Sequence, residues 1–219
     1  MTRPCPTLTY AAGRPFRYIG GEPCLDLVNT GNWTVAGLAE DRLSDYARVV
    51  EWAQGAGVVT TGEAAALRRA AAARPREAEA AWEAARRIRG VLRRVFTAVA
   101  RAEPPGDALD EFNRLLRRTL ARLELVSAGD GPADTGALRW AWRGAGEELE
   151  FPLWPVIRSA ADLLASGDSR RIGVCAGPDC GWLFVDRSRN GLRRWCDMRL
   201  CGTREKSRRR RSRPGRRAG

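Results

Sequence analysis

Four cysteines toward the C-terminal end carry the densest chemistry of the 219-residue chain. Cys175, Cys180, Cys196 and Cys201 form two C-x4-C pairs with fifteen residues between them. Pairs of this kind converge on a tetrahedral zinc ion, and four thiolates close its coordination shell, so one structural zinc is expected rather than a catalytic one. A disulfide framework is the competing use of the same residues, and it requires an oxidising compartment. The opening residues hold Arg3, Arg14 and several prolines but no apolar core of a secretory signal. A cytoplasmic, zinc-bound chain is therefore expected. Histidine is absent altogether, which removes catalysis by an imidazole base and leaves an all-thiolate set as the expected zinc shell. Lys206 is the single lysine, and its surroundings lack the glycines of a phosphate-cradling loop. No enzyme is expected.

Bringing the four sulfurs together needs turns at defined places. Residues 175–181 read as a knuckle, with Gly177, Pro178 and Asp179 between the first two ligands and Gly181 after the second. Residues 182–186 and 192–196 are strand-like and flank Ser188-Arg189-Asn190-Gly191, whose Asn-Gly pair is a strong hairpin signal. Such a hairpin carries Cys196 back to the first pair. A helix opening near Cys201 then supplies the fourth ligand, a layout like a treble-clef finger. About 50 residues make too small a core to fold securely alone, so zinc is expected to hold this segment.

The charge distribution points to a partner. Residues 1–169 hold 22 arginines and 22 acidic residues, whereas residues 170–219 hold 16 cationic side chains against 4 acidic ones, the whole net charge of +12. A neutral domain joined to a cationic module fits a polyanion, because Arg and Lys neutralise phosphates locally and release counterions. Arg189, Arg193, Arg194, Arg199, Arg204, Lys206, Arg208 and Arg211 are the candidate nucleic-acid contacts. Arg204, Arg208 and Arg211 fall on one face of the expected last helix.

In the first 169 residues, apolar periodicity predicts helices over 44–54, over 77–101, from Asp107 onward and over 151–166. The period changes to two at Ala121, Leu123 and Leu125 and again at Leu138, Trp140 and Trp142, which read as paired strands around a turn-rich 129–136. The alanine-rich stretch 64–73 is discounted as compositional. Cys24 reads as a packing cysteine and Cys5 as a free thiol in a frayed terminus. Asp26, Asn29, Thr30 and Asn32 are a candidate small-molecule site, although caps and turns use the same residue types.

At Cys175, Cys180, Phe184, Asp186, Ser188-Arg189-Asn190, Arg193-Arg194-Trp195-Cys196, Met198, Cys201-Gly202, Arg204 and Lys206, the chain resembles the CGNR zinc-finger family, bacterial proteins regarded as stress-induced transcription regulators. Phe16, Gly20-Gly21 and Leu25-Asp26-Leu27-Val28-Asn29-Thr30 are similar to the opening of the ABATE domain that precedes such a finger. The resemblance implies a metal-held DNA-binding finger on a mostly helical regulatory domain. Thr203 departs from the signature Cys-Gly-Asn-Arg; it can replace the asparagine as a helix cap but not as a bidentate reader of adenine.

The resulting expectation is an α+β, mainly α chain. A helical regulatory domain with a short β-hairpin spans 1–169, a treble-clef-like four-cysteine finger spans 170–213, and a disordered basic tail spans 214–219. Its expected function is zinc-dependent DNA binding in transcription regulation, at the nucleoid when bound, with RNA binding or an acidic protein partner as alternatives. A small-molecule effector and a homodimer are compatible with this reading, and no membrane association is expected.

Overall fold

The computed structural model describes residues 16–34, 37–128, 137–177 and 179–211. Cys5, the 129–136 turn and the 214–219 tail lie outside the described residues. Among the described residues the chain is mainly helical, with three short antiparallel strand pairs, the α+β, mainly α class expected.

The organising element is α4 (Pro75–Ala100). Proline occupies its first turn, where no N–H is needed, and Ala81, Ala85, Ile88, Leu92, Val95 and Phe96 form its buried stripe. Helices α1 (Pro23–Val28), α2 (Tyr46–Gly55), α3 (Thr61–Ala73) and α5 (Asp107–Leu120) pack on it, and α6 (Trp154–Ala165) lies against α1 and α5. Asp45 caps α2 by accepting from the Arg48 N–H, and Thr60 and Glu63 make a reciprocal capping box at α3. The alanine-rich stretch is thus a helix after all. It buries only Ala64 and Leu67, which is why its periodicity is faint.

Two elements before α2 leave no periodic trace. Helix α1 is too short to show a repeat and is buried from Cys24 to Val28, while β1 (Gly31–Thr34) and β2 (Gly37–Asp41) pair through a bulge at Asn32/Trp33. The expected strand pair is present as β3 (Leu123–Ser127) and β4 (Leu138–Trp142), with Leu123 opposite Trp142 and Leu125 opposite Trp140.

The third pair requires a correction. Strand β6 (Leu183–Val185) pairs not with residues 192–196 but with β5 (Ile172–Val174), which precedes the first cysteine. Ile172, Leu183 and Val185 are buried in the same core as Leu25, Leu92 and Ile157. An apolar strand finds more to bury there than against Leu192-Arg193-Arg194, of which Leu192 and Arg194 are exposed. The main core therefore runs across residue 170.

Candidate metal centre

The knuckle stands on the β5–β6 hairpin. The Cys175 N–H donates to the Trp182 carbonyl at 2.8 Å and the Cys180 N–H to the Gly177 carbonyl at 3.1 Å, closing the turn between the first two ligands. Asp179 sits there at φ +58, a left-handed conformation that Asp tolerates better than most residues. A Cβ at Gly177 would come within 3.1 Å of the Cys201 sulfur, so glycine is what lets the second pair close on the first.

Cys196 and Cys201 arrive on irregular backbone. Asp186 builds the turn before them: its carboxylate accepts from the Ser188 N–H (2.9 Å), the Ser188 hydroxyl (2.5 Å) and the Arg193 N–H (2.8 Å), and the Ser188 hydroxyl bond holds its carboxyl below the usual range. The Asp197 side chain caps a π-turn, Met198–Gly202, that presents Cys201 and runs into α7 (Thr203–Arg211). The Thr203 hydroxyl donates to the Met198 carbonyl at 3.3 Å, tying the helix start to this turn.

The four sulfurs lie within 4.8 Å of one another, and Cys175, Cys196 and Cys201 are buried. Cys180 and Cys196 are 3.7 Å apart, as are Cys196 and Cys201. That is too long for a disulfide, and it matches the roughly 3.8 Å edge of a tetrahedron with Zn–S bonds of about 2.3 Å. The Cys175 sulfur also accepts from the N–H groups of Cys196 (3.2 Å) and Gly177 (3.4 Å). Hydrogen bonds from the other three thiols lower the Cys175 pKa, while the proximity of Cys175 raises those of Cys180 and Cys196. Without a cation the cluster cannot hold four thiolates; one Zn2+ removes the conflict. The donor set fits a single closed, structural zinc.

The knuckle is fastened to the helical part on several sides. The Asn29 side chain donates to the Leu183 carbonyl (2.8 Å) and accepts from the Leu183 N–H (2.9 Å), standing in for a neighbouring strand. Trp182 Nε1 donates to the Gly31 carbonyl (3.1 Å) and the Val185 N–H to the Gly20 carbonyl (2.8 Å). Arg93 of α4 lies over the Trp33 ring at 4.2 Å and donates to the Gly181 carbonyl at 2.7 Å. A Cβ on Gly181 would meet Arg93 at 2.8 Å and Trp33 at 3.0 Å. Arg17 pairs with Asp197 at 2.6 Å.

Three of the four candidate ligand residues are engaged within the protein. Besides Asn29, Asp26 accepts from the Gly20 N–H (2.8 Å) and Thr30 donates to Leu27 and accepts from Arg89. All three, with Asn32, are buried. Burial pushes the Asp26 carboxyl up to about 7 and the Cys24 thiol to about 12, which suits a packing cysteine. A cavity of about 510 Å3 lies elsewhere, between α4, α5 and α6.

The candidate cations divide in two. Arg193 turns inward: its guanidinium donates to the carbonyls of Ile19 (3.1 Å), Val185 (3.2 Å), Trp195 (3.1 Å) and Cys196 (2.6 Å) and lies 4.3 Å over the Phe184 ring. Arg189, Arg194, Arg199, Lys206, Arg208 and Arg211 are exposed, Arg208 with Glu205 as its partner, and Arg204 is half-buried. Arg93 and Asp197 are site residues that the sequence did not point to, while Asn29 reads there as a ligand residue and Asp186 only as part of the family resemblance. The place of Asp186 two residues before Ser188 is the signal that could have found it, as an Asx-turn pattern.

Among curated proteins, none matches the chain. The family model of the CGNR zinc finger matches residues 171–214. That of ABATE, described as "Putative stress-induced transcription regulator", matches residues 21–167. The chain therefore belongs to the ABATE family and carries a CGNR zinc finger.

Proposed function

We propose that the chain is a zinc-dependent regulator that binds duplex DNA through residues 186–211. One observation carries this reading: the exposed cations Arg189, Arg194, Arg199, Lys206, Arg208 and Arg211 lie on the loop, π-turn and helix that hang from the cysteine cluster. Their phosphate contacts supply affinity, and α7, with Arg204 near its start, is the element available to a groove. The metal has no open coordination position once four thiolates hold it, so its role is to hold the finger in shape. Among the described residues no helix is long and apolar enough to cross a membrane.

An RNA reader would offer exposed aromatic rings for stacking. Of the three aromatic candidates, Trp182 and Phe184 are buried in the finger and Trp195 is half-buried with Arg194 over its ring, which favours duplex DNA. Fluorescence anisotropy with a random-sequence duplex, repeated across salt concentrations, tests the proposal. Six neutralised phosphates give a slope of log K against log salt of about −5, and a slope near zero overturns the reading. Unlabelled RNA that outcompetes duplex DNA moves it to the RNA alternative.

A further inference from the structure

The cavity between α4, α5 and α6 is floored by Ile88, Val91, Leu115, Leu153, Trp154 and Ile157. Its volume of about 510 Å3 lies within the usual small-molecule range of roughly 300–1,000 Å3. Five charged side chains also line it, and three are already engaged. Arg122 pairs with Glu148 at 3.1 Å and Arg87 with Glu83 at 3.6 Å, while Glu111 pairs with Arg94. Arg118 of α5 and Glu150, just ahead of α6, have no side-chain ion pair or hydrogen bond among the described residues. The lining therefore offers one uncommitted cation and one uncommitted anion around an apolar floor.

We propose that this cavity binds a small zwitterion with a large apolar side chain, an α-amino acid of the leucine or phenylalanine kind, and that α4 relays its occupancy to the zinc knuckle. Arg118 takes the carboxylate, Glu150 the ammonium, and the floor the side chain. The relay follows from the position of α4. Ile88 and Val91 line the cavity, while Arg89 between them forks onto Asp41 of β2 at 2.6 Å through each of two nitrogens, and Arg93, one turn on from Arg89, holds the Gly181 carbonyl of the finger beside Cys180. An occupant that shifts α4 acts on both attachments. The effect on DNA rests on the function proposed above; binding in the cavity does not.

Isothermal titration of the zinc-loaded full chain with L-phenylalanine, L-leucine, phenylacetate and phenethylamine tests the site. The amino acids are expected to bind, and each analogue lacking one charge to bind about tenfold more weakly, because it forfeits one charge-assisted hydrogen bond. Arg118→Ala and Glu150→Gln, both at exposed positions, should cost a similar factor, and Ile157→Trp should fill the cavity and abolish binding. Phenylacetate binding as well as L-phenylalanine overturns the zwitterion assignment. No binding of either amino acid at about 10 mM, or binding unchanged in Arg118→Ala and Glu150→Gln, overturns the site. The relay is read from DNA affinity with and without saturating L-phenylalanine, with a change of about threefold or more expected. If the chain proves not to bind DNA, the rate of zinc release to a chelator is the readout. Retained amino-acid binding with neither quantity altered overturns the relay alone.

Discussion

The two halves of the finger are held by different forces. Residues 172–185, which bring Cys175 and Cys180, form a hairpin whose apolar side is part of the helical core and whose backbone is bonded to Gly20, Asn29 and Trp33. Residues 186–211, which bring Cys196, Cys201 and the exposed cations, show no strand pairing and rest on the cysteine cluster, Asp186, Arg193 and the Arg17–Asp197 pair. Apolar burial fixes the first half and leaves it little charge to offer. The second half keeps its arginines outside because metal and polar bonds, which need no apolar surface, do the fixing. The expectation that zinc holds the whole segment of about 50 residues thus narrows to its second half.

Metal loss is the sharpest way to break this contrast, and it carries the largest effect. Cys196→Ser, or chelation of the wild type, should lower DNA affinity by more than about 100-fold, since disturbing even the outer partners of a metal ligand costs about 10–100-fold in metal affinity. Hydrogen exchange should show lost protection over residues 187–211 while the Leu183 and Val185 amides stay protected, their bonds to Asn29 and Gly20 being independent of the ion. Equal loss in both halves would mean that the metal, not the core, holds the hairpin.

Arg193 and Arg194 sharpen the contrast within the second half. Arg193→Lys removes a planar fork that serves four carbonyls, and an ammonium cannot reach all of them. Stability should fall by about 3 kcal/mol and zinc affinity by about tenfold or more. Arg194 is exposed beside Trp195. Arg194→Ala should leave thermal unfolding and zinc titration unchanged while making the salt slope shallower by about 1. Equal effects of the two substitutions on zinc titration would remove the distinction between a positioning arginine and a contact arginine.

The first half has its own test in Asn29, whose amide replaces a strand along the edge of β6. Asn29→Ala leaves the Leu183 N–H and carbonyl buried and unpaired, costing about 2–3 kcal/mol of global stability by denaturant unfolding. Zinc affinity should change less than in Arg193→Lys. A drop in metal affinity without a drop in unfolding free energy would place Asn29 with the metal-held half.

How far each half was legible in the sequence follows from the same division. Cysteine spacing and the charge imbalance are local, additive features, and they survive folding: the four sulfurs cluster and the cations mostly stay outside. The long stripe of α4 and the alternation of β3 and β4 are local too. The partner of β6 is not local. Asn190-Gly191 does make a turn, with the Gly191 N–H donating to the Ser188 carbonyl at 3.3 Å, but a turn signal cannot report that Ile172-Gly173-Val174, ahead of the first cysteine, offers a better apolar strand. Nor does a row of arginines show which one folds back on carbonyls. Asn29, Thr30 and Asp26 read as a polar cluster fit for a ligand because their real partners, Leu183, Arg89 and Gly20, come from elsewhere in the chain.

The smallest expected effect separates the two halves by pH. Asp26 is buried beneath the attachment of the first half, and burial raises its carboxyl from 3.8 to about 7, against the opposing hydrogen bond from the Gly20 N–H. A carboxyl that is harder to ionise in the folded state than in the unfolded one stabilises the fold fully below about pH 4. That contribution declines as pH rises and is gone above about pH 7. Metal affinity runs the other way, because thiols must lose protons to bind zinc, so the second half should tighten over the range in which the first half loosens. Asp26→Asn isolates the first trend: its amide oxygen can still accept from Gly20, but it has no proton to lose. The stability of the wild type relative to Asp26→Asn should fall by about 1–2 kcal/mol between pH 6 and 8, measured by urea unfolding of the zinc-loaded chain, and zinc affinity should follow the same pH profile in both. A constant difference across that range would show that Asp26 is ionised throughout, and the contrast between the halves would then rest on metal and packing alone.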